Sequence, residues 1–384
     1  MEIRDVTPDD LDAVLDLRKR SFGPTSASER DRWRRAVTPV LGEGRYLGVF
    51  EGTRLAAAAR LRSLTQWWHG RPQPMAGIAG VTVNPEDRGR GVGTRLMRAV
   101  VDRAAALGDA VSTLYPATTP IYRGVGYEHA GAQHNVRLPA EALRGIRPSG
   151  QVKLRRMGPD DAAELISVLH RVYAATRVSG PVSWDERTWS LWLEAEDDFL
   201  YLADDGFVIY RWKGDDILVD SLVAGSAETA RALWTLVGSA SSIAQHVIAP
   251  VAPDDPVLWL LRERGKEQVK QVRWMLRVLD VAAAVERRGY PVPATCEAVI
   301  TVEDPLLGGG TWRLEISGGS GAAVPVAEGA GASGAVLTAN GLAALYSGIP
   351  TATLRLAGLM SGDVRYDEAL DMAFAARPYM LEYF

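Results

Sequence analysis

The sequence has one cysteine, Cys296, and five histidines, none of them paired at the spacing of metal ligands. A lone thiol cannot close an intrachain disulfide. A structural zinc site has too few ligands to draw on. A basic excess is also missing: formal net charge is −4, which argues against a nucleic-acid partner and is compatible with a cationic small molecule. No apolar run approaches the ~18 residues needed to span a bilayer. The opening MEIRDVTPDD is charged where a signal peptide would be apolar. The expectation is a protein of a reducing, cytoplasmic setting, with no metal, no nucleic acid and no membrane.

What is present is material for several cores. The chain has 384 residues, 47% of them hydrophobic, and at ~100–200 residues per domain that suggests two or three domains. It also repeats itself. The stretch 3-IRDVTPDDLDAVLDLRKRSF-22 aligns with 154-LRRMGPDDAAELISVLHRVY-173, and 46-YLGVFEG-52 is echoed by 201-YLADDGF-207. In both copies an extended segment meets Pro-Asp-Asp and then a helical pattern; proline suits a first helical turn and acids suit its positive end. We therefore expect a duplicated unit, residues 1–150 and 151–285. Beyond residue 285 the texture changes. Short β-like runs (297–303, 311–317, 322–329) are followed by helical patterns (339–348, 366–384), which suggests a small α+β third domain over 286–384.

The two copies differ at one loop. In 81-VTVNPEDRGRGVGTRLMRAVVDR-103 a strand ends near Val83, and Arg88-Gly89-Arg90-Gly91-Val92-Gly93 leads into a helix expected over Thr94–Leu107. Glycines admit positive φ and close backbone approach. Amides at a helix start, together with the helix dipole, favour an anion, and successive N–H groups can form a nest for one. Arg88 and Arg90 add cationic donors. The combination indicates a pyrophosphate site. It lacks the Gly-Lys-Ser/Thr ending of a P-loop, and it follows the fourth strand-like segment instead of the first strand of a dinucleotide-binding unit. In the second copy, 217-ILVDSLVAGSAETARALWTLVGSA-240, the loop has shrunk to Gly225-Ser226 with no arginine, so it should not bind in the same way.

Arg88-x-x-Gly91-x-Gly93 after a fourth strand resembles the acyl-CoA loop of the GNAT (Gcn5-related) acetyltransferases. Downstream, 121-IYRGVGYEHAG-131 resembles that superfamily's Tyr-x-x-x-Gly-aromatic segment, with Tyr122, Gly126 and Tyr127 matching. An active GNAT unit, a degenerate one and a domain similar to sterol-carrier proteins together resemble the Eis (enhanced intracellular survival) family over essentially the whole chain. The fold class implied is α/β (α+β).

The resemblance implies an acetyl-CoA-dependent N-acetyltransferase acting on primary amines of small cationic substrates, of the aminoglycoside, polyamine or lysine type. A non-catalytic acyl-CoA- or lipid-binding protein is the alternative. The resemblance also implies site residues. Val81, Thr82 and Val83 would grip the pantetheine arm; Gly89, Arg90, Gly91, Val92, Gly93 and Thr94 would supply pyrophosphate amides; Ala117 and Thr118 would lie beside the donor. Tyr122 would be the general acid: a phenol near ~10 stays protonated and can donate to a thiolate whose thiol titrates near ~8.5. Tyr115 is its competitor, and Tyr127 packs. The terminal carboxylate of Phe384 would be the base, supported by an end too apolar for a solvated tail. Pocket candidates are Phe22, Glu29, Asp31, Trp33, Trp67, Trp68 and Glu382. The third domain reads as a scaffold for the C-terminus, and the resemblance implies a hexamer.

Overall fold

The computed structural model describes residues 1–240, 242–262, 268–327 and 334–384. The first unit contains β1 (Glu2–Asp5), α1 (Leu11–Phe22), α2 (Ala27–Val37), β2 (Tyr46–Glu51), β3 (Arg54–Trp68), β4 (Arg71–Val83), α3 (Val92–Ala106), β5 (Val111–Leu114), α4 (Pro120–Arg123), β6 (Glu128–Pro139) and α5 (Ala140–Leu143). The second contains β7 (Arg155–Arg156), α6 (Ala162–Thr176), β8 (Val182–Ser183), α7 (Glu186–Trp192), β9 (Phe199–Ala203), β10 (Gly206–Lys213), β11 (Asp216–Ala224), α8 (Ala227–Gly238), β12 (His246–Val251), α9 (Val257–Leu260) and β13 (Gln268–Val278).

The repeat survives in side-chain detail. Asp10 accepts from the Thr7 amide and pairs with Arg4 at 2.7 Å. At the matching positions Asp161 accepts from the Gly158 amide and pairs with Arg155 at 2.9 Å. In each copy the second acid of Pro-Asp-Asp folds back to close the first turn and ties it to the edge strand, so it does more than complement a dipole.

The two units share one sheet. Its order is β1-β2-β3-β4-β5-β13-β6-β12-β11-β10-β9-β7. β13, from the second unit, lies between β5 and β6 of the first, antiparallel to both. β6 in turn lies antiparallel to β12 of the second. Neither unit closes its sheet with its own residues.

The third unit contains α10 (Val281–Arg287), β14 (Cys296–Glu303), β15 (Gly310–Ser317), β16 (Ser320–Pro325), β17 (Ala335–Thr338), α11 (Ala339–Tyr346), α12 (Thr351–Leu356), β18 (Met360–Gly362) and α13 (Asp367–Phe374). Part of the run expected at 322–329 lies outside the described residues. The five-stranded sheet β16-β15-β14-β17-β18 buries Ile300, Leu314 and Leu337 under Leu342, Leu370 and Phe374. That packing suits a scaffold.

The unit is anchored by Arg288. Its guanidinium is fully buried, donates to the carbonyls of Tyr346, Gly289 and Phe374, and stacks among the rings of Trp68, Tyr290, Tyr346 and Phe374 at 4.9–5.2 Å. Carbonyl oxygens and aromatic faces replace water around the charge, although burial still lowers its pKa. Trp68 ends β3 of the first unit, so this contact fixes the third unit to the β3–β4 hairpin. It also explains why Trp67 and Trp68 do not line a substrate pocket: both are buried, Trp67 against Tyr173 and Trp68 against Tyr346.

A helix was expected over 366–384, but α13 stops at Phe374. Pro378 disfavours helical geometry in the residue before it and cannot donate a backbone hydrogen bond. The last ten residues run extended.

Because β13 fills the gap between β5 and β6, a chain ending at residue 150 should lack a cooperative thermal transition. In the full protein the first two units should melt together. Calorimetry showing a separate, cooperative transition for residues 1–150 would contradict this.

Candidate functional site

β4 pairs with β5 only through Ala76, Gly77 and Ile78, after which the strands diverge. Just beyond, the β3–β4 register jumps from Arg60–Ala79 to Ala58–Thr82, leaving Gly80 and Val81 opposite Ala59. This is a bulge, and Gly80 takes φ +61° to make it. The backbone of Gly80–Val83 thus faces an open cleft, with Val81 and Val83 half-buried and Thr82 buried.

At the end of β4 the chain makes a short turn and enters α3. Gly89 and Gly91 both have φ +76°. Helix α3 begins at Val92, two residues before the expected Thr94, with Gly91 as its N-cap and no side chain capping it. The Arg95 amide makes the first helical bond, to the Gly91 carbonyl. The amides of Gly89 through Thr94 have no hydrogen-bond partner among the described residues. Six such donors at the positive end of a 15-residue helix form an anion cradle.

The two loop arginines differ. Arg88 is exposed and has no ion-pair partner among the described residues. Arg90, expected as a second free donor, is bound at 2.5 Å to Asp87, whose carboxylate is sealed from solvent and also holds Arg54. Those guanidiniums keep Asp87 below the usual carboxylate range. Arg90 therefore braces the loop from behind.

The second copy shows the contrast. Helix α8 is capped by its own Ser226, which accepts from the Thr229 amide at 3.2 Å. The Asp205 carboxylate accepts from the Thr229 hydroxyl, and its carbonyl accepts from the Gly225 amide. Two of the amides at this helix start, those of Gly225 and Thr229, are thus engaged, and a carboxylate that would repel an anion stands beside them.

Into the first unit's cleft comes the C-terminal tail. It threads between the two units at Gly131 and Gly180. A Cβ at Gly131 would lie 2.4 Å from the Pro378 carbonyl, and one at Gly180 2.4 Å from that of Tyr379. The Tyr379 amide donates to Ser179 and the Met380 amide to Ala132. Gln133 donates to the Leu381 carbonyl at 2.6 Å, and Tyr115 to that of Glu382 at 2.8 Å. Met380 and Leu381 are buried, each contributing about 1.5–3 kcal/mol. Phe384 ends against β4: a Cβ at Gly77 would lie 2.9 Å from its ring. Its neighbours are Tyr115 and Trp184, with ring centroids 5.7 and 6.1 Å away.

Tyr122 sits in α4, within electrostatic reach of Tyr383 of the tail. It is 5% exposed, edge-on to Tyr127, and its hydroxyl bonds to nothing among the described residues. Burial, and secondarily Tyr383, raise its pKa, so the phenol keeps its proton. Tyr127 is tied to Ser112 at 2.7 Å and packs. Tyr115 is bound to the tail. Ala117 and Thr118 lie exposed in the turn after β5.

A cavity of about 630 Å³ adjoins the cleft, lined by Glu29 and Trp33 of the candidate pocket residues and by Leu64 and Trp184, which also neighbour Phe384. Phe22 is exposed, and Asp31 pairs with Arg35 outside. The Glu382 carboxylate turns away, toward Tyr173 and the Val182 amide. A larger cavity of about 870 Å³ lies behind the tail, between the second and third units; neither the anion cradle nor Tyr122 borders it. Gly131, Gln133, Ser179, Gly180 and Trp184 carried no signal in the sequence, because their importance comes only from meeting residues 200 positions away.

A splayed fourth strand, uncapped helix amides and a phenol over the gap define an acyltransferase of the N-acetyltransferase class. Residues 2–130 and 180–278 each match the acetyltransferase (GNAT) domain family, and 281–381 the sterol carrier protein domain family. The chain is 30% identical over 79% of its length to an uncharacterized N-acetyltransferase of Streptomyces griseus, covering 80% of it. It is 28% identical to N-acetyltransferase Eis of Mycobacterium tuberculosis over 96% of both chains. The crystal structure of a GCN5-related N-acetyltransferase from Kribbella flavida superposes with a TM-score of 0.95 at 45% identity, covering 100% of this chain and 98% of that one. The chain belongs to the Eis family of GCN5-related N-acetyltransferases.

Burial pushes the Glu382 carboxyl up to about 7 from 4.5. A folded-state pKa above the unfolded one means the folded chain holds a proton the unfolded chain releases. That stability is complete below pH 4.5 and is lost as pH rises through 7. Glu382→Gln should therefore flatten the fall in thermal midpoint between pH 5 and 8; an unchanged slope would place the titration elsewhere.

Proposed function

We propose that this enzyme transfers acetyl from acetyl-CoA to the primary amine of a small molecule by direct attack on the thioester. The donor supplies an activated acetyl group. The amides of Gly89–Thr94 suit its pyrophosphate, and the bulged backbone of Gly80–Val83 suits the pantetheine arm. The Tyr122 hydroxyl donates its proton to the sulfur as the C–S bond breaks.

The Phe384 carboxylate holds the amine and accepts its proton. An α-carboxyl near ~3.5 is a weak acceptor for an ammonium near ~10.4, so the carboxylate works by positioning the amine and passing the proton through water. The observation that carries this reading is the Phe384 ring packed on Gly77, where β4 leaves β5. Only a residue without a side chain on β4 admits it. The apolar tail expected from the sequence thus ends on β4, the strand whose far end leads into the loop of uncapped amides.

Adding three residues after Phe384 should lower turnover at least a hundredfold while leaving the affinity for acetyl-CoA within a few-fold. Thiol-release kinetics and calorimetry read the two separately, and full activity in the extended protein would remove the carboxylate from the mechanism. Tyr122→Phe should lower kcat ten- to a thousandfold with the thermal midpoint little changed. Wild-type rates would reassign the proton donor to water.

A further inference from the structure

The cavity beside Phe384 has an unexpected floor. Arg60 and Arg62, two apart on β3 and so on one face of the strand, both line it. Arg18 of α1 lies next to them, with Nη1 2.7 Å from where a Cβ would stand on Gly80 of the bulge. Among the described residues none of the three is ion-paired, and the Phe384 carboxylate is not in ion-pair reach either. Arg60 donates to the Ala36 carbonyl at 3.2 Å. Arg62 lies over Trp184, 4.9 Å from the ring centroid, and its Nε is buried with no partner.

The carboxylates that line the cavity, Glu29, Glu43, Asp185 and Glu186, are exposed at its rim. Glu29 and Asp185 are engaged in capping helices α2 and α7. Burial, and then the charges of Arg60 and Arg18, draw the Arg62 guanidinium down to about 9. Unpaired guanidiniums held together away from water are costly unless an anion completes them, and the planar fork of arginine matches carboxylate and phosphate oxygens.

Trp184 places this feature relative to the chemistry. One indole carries the Arg62 guanidinium on its face and meets the Phe384 ring edge-on. An acceptor whose anionic end lies on the arginines would reach the tail with its other end. We infer that the acceptor is a small primary amine carrying a carboxylate or phosphate, held by Arg60 and Arg62 with Arg18, and not a polycation. This rests on the acetyl-transfer reading of the same cleft.

The test compares matched amines by free-CoA release: 6-aminohexanoate against hexylamine and 1,6-diaminohexane, and glucosamine 6-phosphate against glucosamine. The anionic member should have kcat/KM at least tenfold higher in one or both sets, and which set shows it separates carboxylate from phosphate. In the Arg60→Gln/Arg62→Gln double variant the advantage should fall to within twofold. The variant should melt no lower than wild type, because it loses two poorly compensated charges. Equal or faster turnover of the neutral or dicationic amines, an advantage that survives in the variant, or a variant that melts much lower would each overturn the acceptor class while leaving acetyl transfer intact. Absence of turnover with every amine would overturn the transfer reading instead. The anion site would then be decided by calorimetry with 6-aminohexanoate and CoA: heat in wild type but not in the variant upholds it, and no heat in wild type rejects it.

Discussion

Two missing side chains hold this active site together. Gly131 and Gly180 face each other across the seam between the GNAT units, and the backbone of Pro378 and Tyr379 lies between them at a distance no Cβ would permit. The remaining tail contacts follow from that passage. The main-chain bonds to Ser179 and Ala132 set the register, Gln133 and Tyr115 grip the next two carbonyls, and the chain end is delivered to β4. Arg288 serves the same end from a distance, because it fastens the third unit to the β3–β4 hairpin and so fixes where the tail begins. A sterol-carrier-like domain with a filled interior acts here as a rigid arm.

The two halves of the duplication show how little separates a binding site from its degenerate copy. Both have a strand, a turn and a helix, and both close the first turn of the preceding helix with the same Pro-Asp-Asp device. At the helix that matters, one copy leaves its amides bare behind glycines with positive φ. The other caps its helix with Ser226, which takes the Thr229 amide, and sets Asp205 alongside. Capping of this kind is worth about 1 kcal/mol of helix stability. The first copy forgoes it, which leaves its amides without a partner among the described residues.

A similar trade recurs around the cavity beside Phe384. Asp87 is satisfied by Arg54 and Arg90 and stiffens the cradle from within. Arg60 and Arg62 are left without acids in the same small unit. Stability alone would pair those charges or replace them, so their persistence in a cleft beside the chain's terminus points to a ligand that completes them. Burying the tail's Glu382 against the second unit makes docking sensitive to pH, whereas the apolar Met380 and Leu381 beside it do not.

Much of this was legible in the residues alone. The glycine–arginine loop was legible as a turn of positive φ leading to free amides at a helix start, because those determinants are complete within a dozen residues. The duplication was legible because it is a property of the string, and the aromatic ending marked a tail meant for burial. The strand exchange was not: β5 and β6 carry nothing that says β13 of the other unit will lie between them, since antiparallel pairing reads shape and apolar alternation and ignores chain order. Nor could sequence say that Arg90 would turn back onto Asp87, that residues 375–384 would leave the helical pattern after Phe374, or that the cavity would be floored by arginines and rimmed by acids. The sequence by itself determined the local chemistry of the donor loop and the kinds of unit present. Tertiary structure decided which charges are paired and where the chain ends, because those depend on how the folded strands and loops bring side chains together, over 3 to 33 positions for the Asp87 pairs and over about 200 or more for the tail.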